Sequence, residues 1–550
     1  MTKYIFITGG VISSLGKGIA AASLGNILEN RKLKITFIKC DPYINIDPGT
    51  MNPYEHGEVF VTDDGAETDL DLGYYERFTN IKMGKHNNIT TGKIYSKVIS
   101  NERKGLYLGS TVQVIPHITD EIKSSIYKST QNHDIAIIEI GGTIGDIESL
   151  PFLEAIRQIR IEKDSENVIF LHLTFIPQLE NTGEVKTKPT QHSVKELRSI
   201  GIQPDILICR SKNKIEKNEI KKISLFTNVK ENAVICSPDL NSIYELPEIF
   251  IKQNLDKIVL KKLKIDEKTH NSISKNNLFI WKKFYNKKKL KTEISIGIVG
   301  KYTKLSDSYK SLNEALYNAA VHQKTNINIK YINSENLKND NISQLDHLDA
   351  ILIPGGFGDR GIEGKILATR YARERNIPFL GICLGLQIAV IEFCKNVLNI
   401  KNANSTEFNK KTDFPIISLI EEWNSDSDPK KIFNASNKLG GSMRLGSYIC
   451  IIKKNTLASN IYKKNEVAER HRHRYEVNIK LKHILEKKGL VISGLSKDEK
   501  LVEIVEYKKH PWFLCCQFHP EFNSNPRLSH PLFLHYVKSI IKNKSKDSIK

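Results

Sequence analysis

No run of apolar residues in this 550-residue chain approaches the ~20 that a bilayer-spanning helix needs, so no membrane span is expected. The first residues, MTKYIFITGG, include a lysine but turn at once into strand-like sequence and glycine, without the cleavage pattern of a secretory signal. Cysteine is sparse and scattered: of eight, only Cys515 and Cys516 are neighbours, and no C-x-x-C pair occurs. That distribution argues against a disulfide framework and a zinc site, and it predicts free thiols in a reducing compartment, the cytoplasm. Internal repeats are absent.

What is present is a globular composition, 40% hydrophobic, in a chain longer than one core usually serves, so two or three domains are expected. The net charge of +20 lies largely in stretches such as KKLKIDEK and WKKFYNKKKLK. There lysine mixes with Asn and Ile rather than with the Gly and aromatic residues of an RNA-binding tract. A solvated, biased surface explains most of it, polyanionic small ligands explain part, and a nucleic-acid partner is not expected.

Short apolar runs ending in glycine or polar turns recur at Tyr4–Thr8, Ile35–Ile38, Ile135–Ile140, Val168–Leu173 and Ile206–Cys209, with helix-compatible Ile19–Asn30 and Leu150–Glu162 between some of them. A second series comprises Ile294–Val299, Ile327–Ile332, Ala350–Ile353 and Phe379–Ile382. This alternation predicts two α/β domains, each a doubly wound parallel sheet, separated by the Lys- and Asn-rich Lys261–Thr292.

ITGGVISSLGKGIAAASLG reads as a strand, a Gly- and Ser-rich turn carrying Lys17, and a helix: the arrangement in which backbone N–H groups, a helix N-terminus and a lysine face phosphate. It departs from the standard phosphate loop, since five residues rather than four separate Gly10 from Gly16, and Gly18 stands where Ser or Thr is usual. Carboxylates accompany it. Asp69 and Asp71 alternate in ETDLDLG and would share one side of an extended strand, and Glu139 ends a buried strand before a turn with Asp146 and Glu148. Magnesium held by one or two carboxylates and substrate phosphates needs such groups at strand ends. A second basic set, Lys39 with Lys186, Lys188 and nearby Gln191, suits either solvent or a second phosphorylated substrate.

FLGICLGLQ places Cys383 in a G-x-C-x-G turn after an apolar strand, the spacing of a nucleophile elbow, at a helix N-terminus that favours thiolate. CQFHPEF supplies His519 and Glu521, with spacing that lets imidazole and carboxylate lie side by side as base and orienter. In IPGGFGDRG, Gly355 and Gly356 are expected to bring backbone N–H groups to a developing oxyanion, often worth ~3 kcal/mol per donor.

Together, GGVISSLGKG, DPYINIDPGTMNPYEHGEVFVTDDGAETDLDLGYYERF, GSTVQVIPHIT, EIGGTIGDIES, KTKPTQHSV, PGGFGDRG, GICLGLQ, NANSTEF, GSMRLG, ERHRHRYEVN and FHPEF resemble the CTP synthase family over nearly the full chain. The C-terminal half alone resembles only a class I glutamine amidotransferase. The resemblance implies a synthetase domain over 1–268, a linker over 269–292 and an amidotransferase domain over 293–543. The first would use ATP and magnesium to phosphorylate the 4-oxygen of UTP, which ammonia displaces to give CTP. The second would release that ammonia from glutamine through a thioester on Cys383.

By matching position, the resemblance implies ATP contacts from Ser14, Leu15, Gly16, Lys17, Gly18, Ile19 and Asp71, with Lys39 in the same site, and magnesium on Asp71 and Glu139. UTP and the feedback inhibitor CTP would meet Ser13, Asp146, Ile147, Glu148, Lys186, Thr187, Lys188, Pro189, Thr190, Gln191 and Lys222. Glutamine would meet Gly356, Leu384, Gly385, Leu386, Gln387, Glu407 and Arg474. A homotetramer activated by GTP is implied too. Asn402–Lys438 is unusually rich in Lys and Asn, and Asp359 lies in the loop expected to meet GTP, where a carboxylate would repel a polyphosphate. Another ATP-dependent amidotransferase is disfavoured by the long Asp41–Phe78 match, and a non-catalytic scaffold by the retention of Cys383, His519, Glu521, Lys17, Asp71 and Glu139.

Overall fold

A computed structural model describes residues 2–179, 181, 183–267, 270, 281–282, 284, 292–303, 305–419 and 443–547. Most of the 269–292 segment, and of Asn402–Lys438 everything from 420 onward, lies outside the described residues. The chain divides into two compact units, Met1–Thr50 with Thr68–Lys287, and Met51–Glu67 with Lys288–Lys550.

In the first unit, seven strands lie in the order Asn88–Thr90, Ile35–Asp41, Ile135–Ile140, Lys3–Gly9, Val168–Ile176, Ile206–Ser211, Val234–Pro238. Every pairing is parallel. Runs such as IAIIEI are buried from end to end because helices cover both faces of a parallel sheet, which therefore tolerates no polar alternation. The strands extend past their apolar runs into Lys39, Asp41 and Glu139, so the charged residues collect at the carboxyl edge of the sheet, where open α/β folds bind ligands.

One local expectation fails there. Asp69 and Asp71 do not share a strand: the extended segment is only Glu67–Thr68, and Asp71 opens the helix Asp71–Phe78. The Asp69 carboxylate accepts the Asp71 backbone N–H at 2.9 Å, a local turn that competes successfully with continued extension.

The second unit carries a nine-stranded sheet in the order Asn326–Asn333, Glu293–Gly300, Ala350–Ile353, Phe379–Ile382, Phe513–Cys516, Val502–Tyr507, Leu490–Ser496, Arg444–Ile452, Glu466–His473. The first five are parallel and the remaining four antiparallel, so this α/β sheet is mixed rather than parallel throughout. Met51–Glu67 is built into this unit. The Glu58 carboxylate accepts the Ser311 N–H at 2.8 Å, Asp63 offers its carbonyl to Ser447 at 2.9 Å, and Glu67 pairs with Arg472 at 2.8 Å.

Gly25, mid-helix in Lys17–Asn30, shows how tightly helix meets sheet in the first unit. A Cβ there would stand 2.2 Å from Phe37 Cζ, and the Phe37 ring stacks on Tyr75 with centroids 4.5 Å apart. Gly25→Ala would gain ~1 kcal/mol in an open helix, but overpacking here costs about 1–3 kcal/mol. The substitution is expected to lower the melting temperature by a few degrees; an unchanged or higher value in a thermal scan would show that the helix shifts freely.

Candidate active sites

The first site forms where the strand Lys3–Gly9 gives way to a turn. Gly16, at φ 98°, sits in the left-handed region that glycine adopts without strain, and Lys17 then starts the helix Lys17–Asn30. The Lys17 ammonium donates to the Gly142 carbonyl. Burial, then repulsion from Lys39, brings Lys17 down to about 8. A Cβ on Gly18 would fall 2.0 Å from Asp71 Oδ1, which explains the missing Ser or Thr: the Asp71 carboxylate fills that space.

Lys39 lies buried between Asp71, which it contacts directly, and Glu139 at 2.8 Å, with Asp41 at 3.9 Å. Burial opposes its charge, but Asp71, Glu139, Asp69 and Asp41 together hold its pKa well above normal. Burial also pushes Asp71 upward, yet Lys39 keeps that carboxyl below its usual range. Burial and Asp71 lift Glu139 to about 7. Four carboxylates thus face two ammonium groups, a surplus of negative charge that suits a divalent cation. Among the described residues no three His, Cys, Asp or Glu form a ready metal cage.

His172 gave no sequence signal. Fully buried, it bridges Thr8 Oγ1 at 2.8 Å and Ser193 Oγ at 2.7 Å, and burial, reinforced by Lys17, takes it down to about 3. The neutral ring ties the end of the strand Lys3–Gly9 to the helix Lys188–Ser199, which also carries Pro189, Thr190 and Gln191. Thr190 is buried and accepts from Thr174 at 3.0 Å, and Gln191 donates to Thr187 at 3.1 Å. Asp146 accepts the Thr143 N–H at 2.6 Å, while Ser13, Ile147 and Glu148 are exposed near the same strand ends. Lys186 pairs with Glu184 at 2.6 Å, and Lys222 stands exposed on Lys217–Thr227.

The second site is built on the turn between the strand Phe379–Ile382 and the helix Leu384–Asn396. Cys383 takes φ 53° and ψ −103°, a strained conformation for a residue with a side chain, and its N–H is fixed by the Cys516 carbonyl at 2.7 Å. Gly385 permits the bend, since a Cβ there would come 2.3 Å from the Ile353 carbonyl oxygen. His519 and Glu521 lie not on a strand but at a 3₁₀ turn, Pro520–Asn523, and the carboxylate holds imidazole Nδ1 at 2.7 Å. Burial disfavours the imidazolium, but Glu521 and then the nearby Cys383 side chain raise His519 to about 10. Gly355 has a second reason to be bare: a Cβ would lie 2.6 Å from His519 Cε1.

Around the glycine loop, Glu407 accepts the Gly358 N–H at 2.7 Å, and Lys301 donates to the Phe357 carbonyl. Burial, then Lys301, brings Lys365 down to about 7. Neither lysine was singled out by the sequence. Gln387 turns its amide inward, to the Tyr475 carbonyl at 2.9 Å, while Arg474 is half-buried between His473 and Tyr475.

Near Cys383 runs a buried polar network. Arg444 spans Glu476 at 2.9 Å and Glu503 at 2.8 Å, and both carboxylates have no exposure. His473 donates from Nδ1 to the Tyr475 carbonyl at 3.2 Å, so its Nε2 accepts from His471 Nδ1 at 2.9 Å. His471 Nε2 is then left facing Glu503 Oε2 at 3.5 Å. Burial keeps both imidazoles well below their usual pKa and lifts Glu476 to about 8.

Comparison with known proteins agrees with this division. Residues 3–265 match the family described as CTP synthase N-terminus, and residues 304–539 match glutamine amidotransferase class-I. The chain is 57% identical over 548 residues to a CTP synthase of Buchnera aphidicola subsp. Schizaphis graminum (strain Sg), covering 99% of this chain and 98% of the relative. Among solved structures, the Trypanosoma brucei CTPS glutaminase domain with bound acivicin is 37% identical, with a TM-score of 0.41 over 45% of this chain and 94% of that one. The two family matches together define a glutamine amidotransferase joined to a synthetase unit in one chain. This chain belongs to the CTP synthase family. It is a glutamine-hydrolysing ligase of pyrimidine biosynthesis that aminates UTP to CTP at the expense of ATP.

The His519–Glu521 pair has a defined pH signature. Because the folded pKa of about 10 exceeds the ordinary ~6.5, the stabilisation it gives is complete below ~6.5 and disappears as pH rises through about 10. In urea titrations, Glu521→Gln should therefore be less stable than the parent at pH 6, with the difference shrinking toward zero near pH 10. A difference independent of pH would show that charge is not what the carboxylate supplies.

Proposed function

We propose that Cys383, His519 and Glu521 carry the glutaminase reaction and that Lys17, Lys39, Asp71 and Glu139 carry the ATP-dependent one. The hydrogen-bonded His519–Glu521 pair set against the strained Cys383 elbow is the observation that supports the first assignment most strongly.

The Cys383 thiolate attacks the amide carbon of glutamine, and the N–H groups of the Gly355–Gly356 loop stabilise the oxyanion. His519, held as imidazolium by Glu521, gives its proton to the departing nitrogen. The thioester remains, and ammonia is released. His519 then takes a proton from water as its oxygen attacks the thioester, and glutamate leaves with the thiolate restored. Gly356, Leu384, Gly385, Leu386, Gln387, Glu407 and Arg474 line the glutamine side of this assignment, with Gln387 acting from behind through its inward-turned amide.

In the other unit, Ser14, Leu15, Gly16, Gly18 and Ile19 present backbone to the ATP phosphates, and Lys17 adds its charge. Magnesium on Asp71 and Glu139 would neutralise phosphate charge. The UTP 4-oxygen takes the phosphoryl group that ammonia later displaces. Ser13, Asp146–Glu148, the Lys186–Gln191 segment and Lys222 hold the pyrimidine nucleotide, with CTP competing for the same triphosphate contacts.

Membership of the CTP synthase family supports GTP as activator and a homotetramer as parts of this reading. The exposed Asp359, beside the Arg360–Glu335 pair, opposes a polyphosphate and argues for weak activation. A cytoplasmic location is supported by eight buried free cysteines, and no helix among the described residues is long and apolar enough to cross a membrane.

Lys17→Ala should abolish CTP formation from glutamine and from ammonium alike, since phosphoryl transfer depends on charge stabilisation. CTP made from ammonium at the parental rate would remove Lys17 from the ATP site. Cys383→Ala should lower glutamine-dependent synthesis about a thousandfold or more, while synthesis from ammonium persists and rises with pH as free NH3 grows. Retained glutamine use would remove Cys383 from the mechanism, and loss of both activities in a folded variant would refute separable sites.

A further inference from the structure

Gln517 belongs to no part of the machinery assigned above, yet it is fully buried and its Nε2 lies 3.8 Å from the Cys383 sulfur. The direction of its carboxamide is settled by the neighbours rather than by the position of its own atoms. The Tyr475 carbonyl can only accept, so the Gln387 group that meets it at 2.9 Å is its NH2. That same nitrogen lies 3.4 Å from Gln517, so the Gln517 atom facing it is the oxygen. The other end of the amide, the one aimed at Cys383, is therefore the donor. The Tyr475 carbonyl also accepts from His473 at 3.2 Å, so both of its lone pairs are used and the Gln387 orientation has no alternative.

We propose that Gln517 is a further catalytic residue of the glutaminase, holding the sulfur of Cys383 with an N–H hydrogen bond, and that Gln387 is the positioning residue that fixes its polarity. A thiolate lacks a proton to donate and gains from every donor turned toward it. The sulfur lies 3.8 Å from the Arg472 carbonyl, an acceptor that suits only the neutral thiol. Gln517 thus offers the sulfur a donor, opposite in kind to that acceptor. The other titratable groups around this sulfur are His519 and Glu521 on the turn after Phe513–Cys516, and Cys516 on that strand. His471 and His473 follow on Glu466–His473, both kept neutral by burial, with Arg444 beyond them. None of these supplies a neutral, permanently oriented N–H.

The inference rests on Cys383 as nucleophile, so Cys383→Ala is measured alongside: glutamine hydrolysis surviving in that variant places the failure in the nucleophile, not in Gln517. Gln517→Met keeps the volume and removes the donor. In the full-length enzyme, kcat for glutamine should fall roughly ten- to a hundredfold, the range for a hydrogen bond to a charged group, with KM changed by less than about twofold. The acidic limb of the kcat/KM profile should move to higher pH. A folded Gln517→Met variant with parental kcat and pH profile overturns the proposal. Gln517→Glu covers the case in which methionine prevents folding. Its carboxyl keeps the contact to Gln387 and offers the sulfur a proton only when protonated, so the ratio of variant to parental rate should rise as pH falls. A ratio constant with pH would mean that the side chain acts by packing alone, and the proposal would fail.

Discussion

A buried ammonium needs countercharge, and in the first unit Lys39 imposes that constraint on everything around it. Desolvating such a group costs several kcal/mol even after relaxation, so it persists only with excellent partners. Asp71 and Glu139 meet it directly, and Asp41 and Asp69 lie near enough to contribute. The carboxylates then exceed the ammonium groups, which leaves the cluster incomplete by its own charges and suited to a further cation. Local sequence follows from this. Gly18 is bare because Asp71 needs its volume, the helix at Asp71 begins where the strand would otherwise run on, and Tyr75 donates to the second oxygen of Glu139 at 2.5 Å.

The second unit obeys the same rule with different groups. His519 keeps its proton because Glu521 and the Cys383 side chain outweigh the penalty of burial. Arg444 keeps two carboxylates that have no exposure of their own. The histidines in between stay neutral and serve as directional links whose tautomers are set from one end by the Tyr475 carbonyl. Burial therefore works against the charge on every one of these imidazoles, and only His519, with Glu521 bonded to its Nδ1, has a partner that outweighs it.

The strands were legible from the sequence because apolar runs bounded by glycine have few other uses. Ala350–Ile353 and Phe379–Ile382 occur with the bounds read from the residues, and others extend by a few positions into polar groups that the sheet edge exposes to a site. The turn at Cys383 and the pairing of His519 with Glu521 were legible because each is local, a turn of three residues and a pair two apart. What escaped reading depends on partners far away in the chain. His172 looks like a residue in an apolar strand until Ser193 and Thr8 close on it, and Arg444 and Glu503 become one network only through pairing of antiparallel strands that the doubly wound expectation did not include. Asp69 and Asp71 were placed on a strand because alternation was weighed above the capacity of an aspartate to bond the backbone two residues on.

The glycines of the loop at Ile353–Gly361 show how one reading of bare backbone can be incomplete. Bare backbone there suits an oxyanion, but a side chain at Gly355 would also collide with the base itself. On the proposed assignment one residue thus satisfies two constraints, access for the developing charge and room for the imidazole that would deliver the proton. Their coincidence ties nucleophile, base and oxyanion donors to a common geometry: His519 cannot approach Cys383 unless the loop is bare, and the loop is placed by the strand Ala350–Ile353, whose neighbour Phe379–Ile382 ends in the nucleophile. Adjacent parallel strands, ending at one edge, set the spacing of the reaction.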